Sequence, residues 1–278
     1  MRNLFTHHEF KINEKAFTLW LFGDIHFGTT SFDEDRFDWF LKRAADSPNP
    51  YYLGMGDYTD FASMSENKKL KAMDLHDTTN EKLDNMAISD NKLIADKCKQ
   101  MRGRLIGLIG GNHQFLLTSG KLSDEDLSER LGTAYLGWLS IISLAFPSDK
   151  HSGTRCNIFA CHGKGGGKLI GSSINAIDDM TKVINNADIY CMGHDHQRSA
   201  TPKTVLSLST NSGLSLKQKR QFLVRSGSFQ KSYEKDKSGF AQGRIMRPAD
   251  LGAVRLNIST HRDKNDGDKT ILDIEGVI

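Results

Sequence analysis

The feature that most constrains this chain is a recurring pattern in which an apolar, strand-like run stops at a short turn of metal-ligating residues. Ala16–Phe22 leads into Gly23-Asp24-Ile25-His26, and residues 51–55 lead into Gly56-Asp57-Tyr58-Thr59-Asp60. Residues 104–109 lead into Gly110-Gly111-Asn112-His113, 156–161 into His162-Gly163, and 187–192 into Gly193-His194-Asp195-His196. Short apolar runs bounded by glycine read as buried strands, and polar groups just past the C-terminal ends of such strands line ligand crevices. A lone Asp after a strand is more often a turn former or cap, and a lone His a hydrogen-bonded structural residue. Recurrence reverses that reading for Asp24, Asp57, His194 and His196, and it extends to His26, Asn112 and His162. The donors are carboxylate, imidazole and amide, without thiolate. That mixture suits manganese, iron or zinc, and is too nitrogen-rich for calcium.

Around these turns the chain reads as α/β. Residues 32–45 space Phe37, Phe40, Leu41 and Ala44 at helical period, with Asp33 or Ser31 as cap. From about 61 to 101 the pattern turns polar and helical, with Leu83, Met86, Leu93, Ile94 and Cys98 on one stripe. We expect a helical insertion there beside the site, its front half, 64–79, acting as a mobile lid. Ser123 or Asp124 is expected to cap the next helix, 134–146 to form a buried helix or strand pair, and 170–186 a helix. Residues 205–278 carry short β-like runs at 222–225, 253–258 and 270–274, expected to supply the second sheet. No linker or composition shift divides the 278 residues, so the expectation is a single domain over 1–278. Its fold is a two-layered mixed β-sandwich flanked by helices, with the site at the strand ends.

Several classes are excluded by composition. No apolar run approaches the roughly 20 residues of a membrane span, and the first residues lack a signal-peptide pattern, so a cytoplasmic protein without membrane contact is expected. Cys98, Cys156, Cys161 and Cys191 have no CxxC spacing and read as buried free thiols. The net charge, 37 − 34 = +3, does not by itself indicate nucleic acid. Its distribution is uneven: residues 198–247 hold eleven Lys or Arg against Glu234 and Asp236. The glycine run after His162 lacks the GK[ST] ending of a phosphate-binding loop; small residues there keep the site open, and Lys164 and Lys168 add charge.

In chain order, Asp24-Ile25-His26, Gly56-Asp57-Tyr58-Thr59-Asp60, Gly111-Asn112-His113, His162 and Gly193-His194-Asp195-His196 resemble the calcineurin-like metallophosphoesterase superfamily. Its pattern is DxH, GDxxD, GNH, a lone His and GHxH. The resemblance implies that Asp24, His26 and His196 hold one divalent metal ion, that Asn112, His162 and His194 hold a second, and that Asp57 bridges them. Manganese is the first expectation, with iron, zinc or nickel as alternatives. It also implies that His113 acts as general acid or electrostatic stabiliser, that Asp60 orients its imidazole, and that a metal-bridging hydroxide attacks phosphorus in line without a covalent enzyme intermediate.

Two departures bear on the substrate. Phe61 stands where phosphoprotein phosphatases carry a phosphate-gripping Arg, and Gln114 stands where an acid often follows GNH. Residues 224–229 with Tyr233 resemble a segment of nuclease-like bacterial or phage phosphodiesterases. Arg225, Lys231, Lys235, Lys237, Arg244 and Arg247, interleaved with Phe229, Tyr233 and Phe240, would offer phosphates a track and bases a stacking surface; the competing reading is a solvated basic face over aromatic core residues. The substrate expected is a phosphate ester, first a phosphodiester, with nucleic acid as a candidate partner. The alternatives are a phosphomonoesterase for a small molecule or phosphoprotein, and a non-catalytic metal-bound scaffold. Oligomeric state is not fixed by the sequence.

Overall fold

The computed structural model describes residues 6–61, 66, 69–70, 73, 75–146, 154–165, 167, 169–209, 215–233, 240–243, 245–263 and 269–278. Its strands are β1 (Thr6–Lys11), β2 (Ala16–Phe22), β3 (Pro50–Gly54), β4 (Leu105–Ile109), β5 (Tyr135–Gly137) and β6 (Leu139–Phe146), then β7 (Thr154–Cys161), β8 (Ile189–Met192), β9 (Arg198–Ser209), β10 (Ser215–Ser226), β11 (Val254–Asp263) and β12 (Lys269–Val277). The principal helices are α1 (Glu34–Ala45), α2 (Asp77–Lys97), α3 (Ser123–Leu131) and α4 (Ile170–Asp178).

Two six-stranded mixed sheets pack face to face and are flanked by helices. One has the order β12-β11-β2-β3-β4-β5, the other β1-β6-β7-β8-β10-β9. In the first, β2 through β5 run parallel; in the second, β8 lies parallel between β7 and β10. Strands such as Leu105–Ile109 are buried along their whole length, which explains their unbroken apolar sequence: parallel strands covered on both faces have no polar side to alternate with. Between the sheets lie Leu19, Leu21, Leu53, Met55, Ile142, Leu144, Ile158, Ile189, Val224 and Leu256. On the outer face of the first sheet α1 buries Phe37, Phe40, Leu41 and Ala44 against Trp20, Phe22, Tyr52 and Phe229, each large side chain contributing about 1.5–3 kcal/mol. Ala176 and Ile177 of α4 cover Phe159, Tyr190 and Leu223 on the other. Among the described residues no helix is long and apolar enough to cross a membrane.

Several expectations are corrected. The last third does not form one sheet: β9 and β10 join β8, whereas β11 and β12 extend the edge beside β2. On α2 the buried residues are Ala87, Asn91, Ile94 and Ala95, with Cys98 buried at its C-cap, while Met86 and Leu93 are half exposed; 86 and 93, seven apart, lie on a neighbouring face of the helix. Asp33 caps α1 by accepting from the Arg36 amide at 3.0 Å. Neither Ser123 nor Asp124 caps α3, which starts at Leu122 with the Glu125 carboxylate accepting from the Leu122 amide. Residues 134–146 form two strands that do not pair with each other, β5 at the edge of the first sheet and β6 in the second. Seven of the sixteen residues of the lid expected at 64–79 lie outside the described residues, 77–79 open α2, and His76 caps that helix and is absent from the walls of the cleft described below. Phe61 packs on Phe115 and the α2 side chains Leu83, Ala87 and Ile88, so it anchors the insertion.

Candidate metal centre

The turns after β2, β3 and β8 are held in a backbone conformation that L-residues avoid. Seven non-glycine residues among those described have positive φ, and five are Asp24 (47°), His26 (50°), Asp57 (53°), His194 (72°) and His196 (57°). Left-handed backbone costs a non-glycine residue about 1–3 kcal/mol and persists only where the surroundings over-determine it. Here the turns hold one another. The Asp24 amide donates to the Gly56 carbonyl (2.9 Å), Ile25 and His26 both donate to the Asp57 carbonyl (2.8 and 3.1 Å), and Phe229 donates to the Asp24 carbonyl (2.9 Å). The His194 amide donates to the Asp24 carboxylate at 2.9 Å, which ties the two sheets together at their strand ends. A Cβ at Gly111 would collide with the Asp57 backbone nitrogen and Oδ1, and one at Gly110 with the Tyr135 hydroxyl. Those glycines therefore serve close approach.

The structure brings all seven candidate donors into one cluster. Asp24, His26 and His196 form one group, and Asp57, His162 and His194 another, with one ligand atom from each residue lying within 4.8 Å of the others in its group. His26 Nε2 lies 3.2 Å from His196 Nε2, which is 3.4 Å from Asp24 Oδ1. His162 Nε2 lies 2.8 Å from Asn112 Oδ1 and 3.1 Å from His194 Nδ1. Asp57 Oδ2 stands between the groups, 3.1 Å from His162 Nε2 and 3.9 Å from His26 Nε2.

Protonation decides whether this cluster fits a metal. His162 Nδ1 faces the Met55 carbonyl at 2.8 Å, and a carbonyl only accepts, so Nδ1 carries a hydrogen and Nε2 is the ring nitrogen turned toward the other donors. His26 Nδ1 likewise faces the Asp60 carboxylate at 3.1 Å. Ring nitrogens and oxygens thus oppose each other across about 3 Å, an arrangement that a shared cation satisfies once the rings are neutral. Charge agrees. Burial works against the ionised form of Asp57, yet His162, His26 and His113 hold it well below the usual carboxylate range. Burial likewise disfavours charged Asp24, and His196 outweighs it. Burial would lower the His162 imidazole, but the Asp57 carboxylate and the Met55 carbonyl raise it to about 9: the field attracts positive charge.

His113 forms a third close group with His26 and Asp60, in which Asp60 is its partner. Its Nδ1 is 2.5 Å from Asp60 Oδ1, while Asp60 Oδ2 takes His26. Burial lowers the His113 imidazole and the Asp60 bond more than compensates, leaving it raised. Both line a cleft of about 680 Å³ whose walls also include Asp57, Asn112, His194, His196, Gly165, Gly167, Gln197, Lys231 and Arg247.

Other residues prove different from their sequence reading. Arg225 is no phosphate track: it is fully buried, donating to the Gly193 carbonyl at 2.6 Å and the Ser173 carbonyl at 3.0 Å, and pairing with Asp195 at 3.3 Å. It braces the turn that carries His194 and His196 from behind. Phe229 is a core residue against Phe37 and Phe40. Lys168, Lys235, Lys237 and Arg244 lie outside the described residues. Asp124 was unforeseen as part of the site: its buried carboxylate accepts from the Gly111 amide at 2.9 Å, fixing the turn before Asn112, and burial pushes it up to about 7.

No protein-family profile and no curated protein matches the chain. Among solved structures it is similar to Vps29 of Chaetomium thermophilum, at 11% identity over 94% of this chain and 96% of that one, with a TM-score of 0.37. A predicted phosphoesterase from Streptococcus pneumoniae gives 11% identity over 94% and 89%, with a TM-score of 0.32. GAP50, the anchor in the inner membrane complex of Plasmodium, gives 10% identity over 94% and 90%, with a TM-score of 0.46. With identities and TM-scores this low, function has to be argued from the site itself.

Proposed function

We propose that this chain is a metal-dependent phosphodiesterase of the calcineurin-like kind, with nucleic acid as its substrate class. The observation that carries the reading is the set of ring nitrogens of His26, His162, His194 and His196 turned toward one another around Asp57, with His113 beside them at the open cleft. Asp24, His26 and His196 would hold one divalent cation and Asn112, His162 and His194 a second, with Asp57 between them. When bound, such a pair activates water as the nucleophile and neutralises the phosphoryl oxygens as charge develops.

The chain's own groups do the rest. The Asp60 carboxylate fixes hydrogen on His113 Nδ1 and raises its basicity, so that Nε2 can hold the proton the leaving oxygen needs. The Met55 carbonyl and Asp60 fix the tautomers of His162 and His26. Phe61, committed to the packing of the insertion, leaves no arginine for a phosphomonoester at that position.

The test is steady-state hydrolysis of bis(p-nitrophenyl) phosphate against p-nitrophenyl phosphate, and of single- and double-stranded DNA, with Mn2+ and with chelator. Chelator-sensitive cleavage favouring the diester is expected. A preference for the monoester, or no cleavage of any diester or DNA by metal-loaded protein, would overturn the reading.

A further inference from the structure

The wall of the cleft beyond the donors carries two side chains of permanent positive charge, Lys231 and Arg247. They differ in partnership. Lys231 Nζ has the Asp33 carboxylate at 3.4 Å. Arg247, by contrast, lines the cleft with neither ion pair nor hydrogen bond to its guanidinium among the described residues. Its charge is thus not neutralised by an ion pair among the described residues and is open to an anionic ligand at the cleft.

Arg247 is also held in place. The Tyr233 hydroxyl donates to the Met246 carbonyl at 2.5 Å, and the Gln197 side-chain amide to the Pro248 carbonyl at 3.0 Å. The Ala249 amide donates to Ser232 Oγ at 2.7 Å, and the Asp250 amide to the carbonyl of His196 at 2.9 Å. Asp250 is further paired with Arg198 at 2.7 Å. Residue 247 is therefore bracketed on both sides, with one tether fastened to a donor residue.

A metal pair already supplies the positive charge that one phosphoryl group requires. A further fixed guanidinium on one wall gives nothing to an isolated diester with neutral substituents, whereas it matches the next phosphate along a strand. Resting on the phosphodiesterase reading above, we infer that Arg247 binds the non-scissile phosphate adjoining the cleaved one, so that the preferred substrate is an oligonucleotide strand rather than a lone diester. A guanidinium suits this because its planar fork meets phosphate oxygens through two parallel hydrogen bonds.

The experiment compares thymidine dinucleotide with its 5′- and 3′-phosphorylated forms, as kcat/KM in wild type, Arg247→Ala and Arg247→Lys. Wild type should prefer one phosphorylated form. Arg247→Ala should shrink that preference by about tenfold to a hundredfold, the range for losing charge-assisted hydrogen bonds, and Arg247→Lys should restore part of it. Binding is read separately, by fluorescence anisotropy of a labelled oligothymidine 12-mer over a salt series, in His113→Ala with and without Arg247→Ala. Loss of Arg247 should weaken binding and reduce the salt slope by about 0.7, one phosphate contact on a single strand. If wild type cleaves no diester, the proposed function fails while the salt slope still decides the subsite. An unchanged substrate ratio in Arg247→Ala, or an unchanged slope, overturns the inference.

Discussion

Asp60 serves two imidazoles at once, His113 through Oδ1 and His26 through Oδ2, and its removal should have two consequences where removal of His113 has one. His113→Ala deletes the proton-holding group and leaves every donor in place; kcat should fall by about 10²–10⁴ with metal content unchanged by elemental analysis. Asp60→Asn leaves an amide that cannot accept from both rings. Activity should fall as well, and metal affinity should weaken by about 10–100-fold, the usual effect of losing an outer partner of a ligating His. Metal titration of the two variants separates them; equal affinities would show that Asp60 acts through His113 alone. The sequence pattern places Asp60 beside His113 but cannot reveal that the second oxygen is already in use, because that depends on how the turns after β2 and β3 face one another.

At the scale of elements, the site is a layer of turns, and its rear wall is as consequential as its front. Arg225, near the end of β10, reaches three backbone carbonyls or carboxylates that brace Gly193-His194-Asp195-His196. Arg225→Met keeps the volume and leaves Asp195 as an unpaired, nearly buried carboxylate. Loss of one partner from a buried pair costs about 3–5 kcal/mol, which urea denaturation should register as a lower midpoint; a shift under about 1 kcal/mol would mean that Asp195 is held by Ser173 and the Gln197 amide alone. In this layer the strands and donors were legible in the sequence because strands buried on both faces are written as apolar runs, and each stops where the polar turn starts. Arg225 was misread because a basic residue in an apolar strand looks the same whether it faces solvent or fills a cavity lined with carbonyls. The edge strand Thr6–Lys11 was missed because its sequence is polar, and β9 because an exposed hairpin of Ser, Thr and Lys has little apolar alternation to show. Caps failed similarly: Ser123 and Asp124 look like capping residues, yet they reach back to the Phe115 and Gly111 amides, contacts between segments that no local pattern encodes.

For the whole molecule, the decisive fact is that each donor group draws on both sheets. Asp24 and His26 follow β2 in one sheet while His196 follows β8 in the other; Asn112 and Asp57 follow β4 and β3, and His162 and His194 follow β7 and β8. Cations shared by these groups would cross-link the sandwich along its strand ends, where five residues of positive φ bring ring nitrogens and oxygens to within about 3 Å. Metal binding should therefore be read in global stability as well as in turnover. At a free-ion concentration about 100-fold above the dissociation constant, one site contributes about 2.7 kcal/mol, and for a chain of this length each kcal/mol moves Tm by about 2–4 °C. Exhaustive chelation should then lower Tm by about 5–10 °C, with recovery on adding Mn2+. Asp57→Asn, which weakens both groups at once, should melt low and respond little to either treatment. If the wild-type Tm is unchanged by chelation that demonstrably removes bound metal, the ions do not join the sheets and the donor assignment across β2, β3, β4, β7 and β8 has to be abandoned.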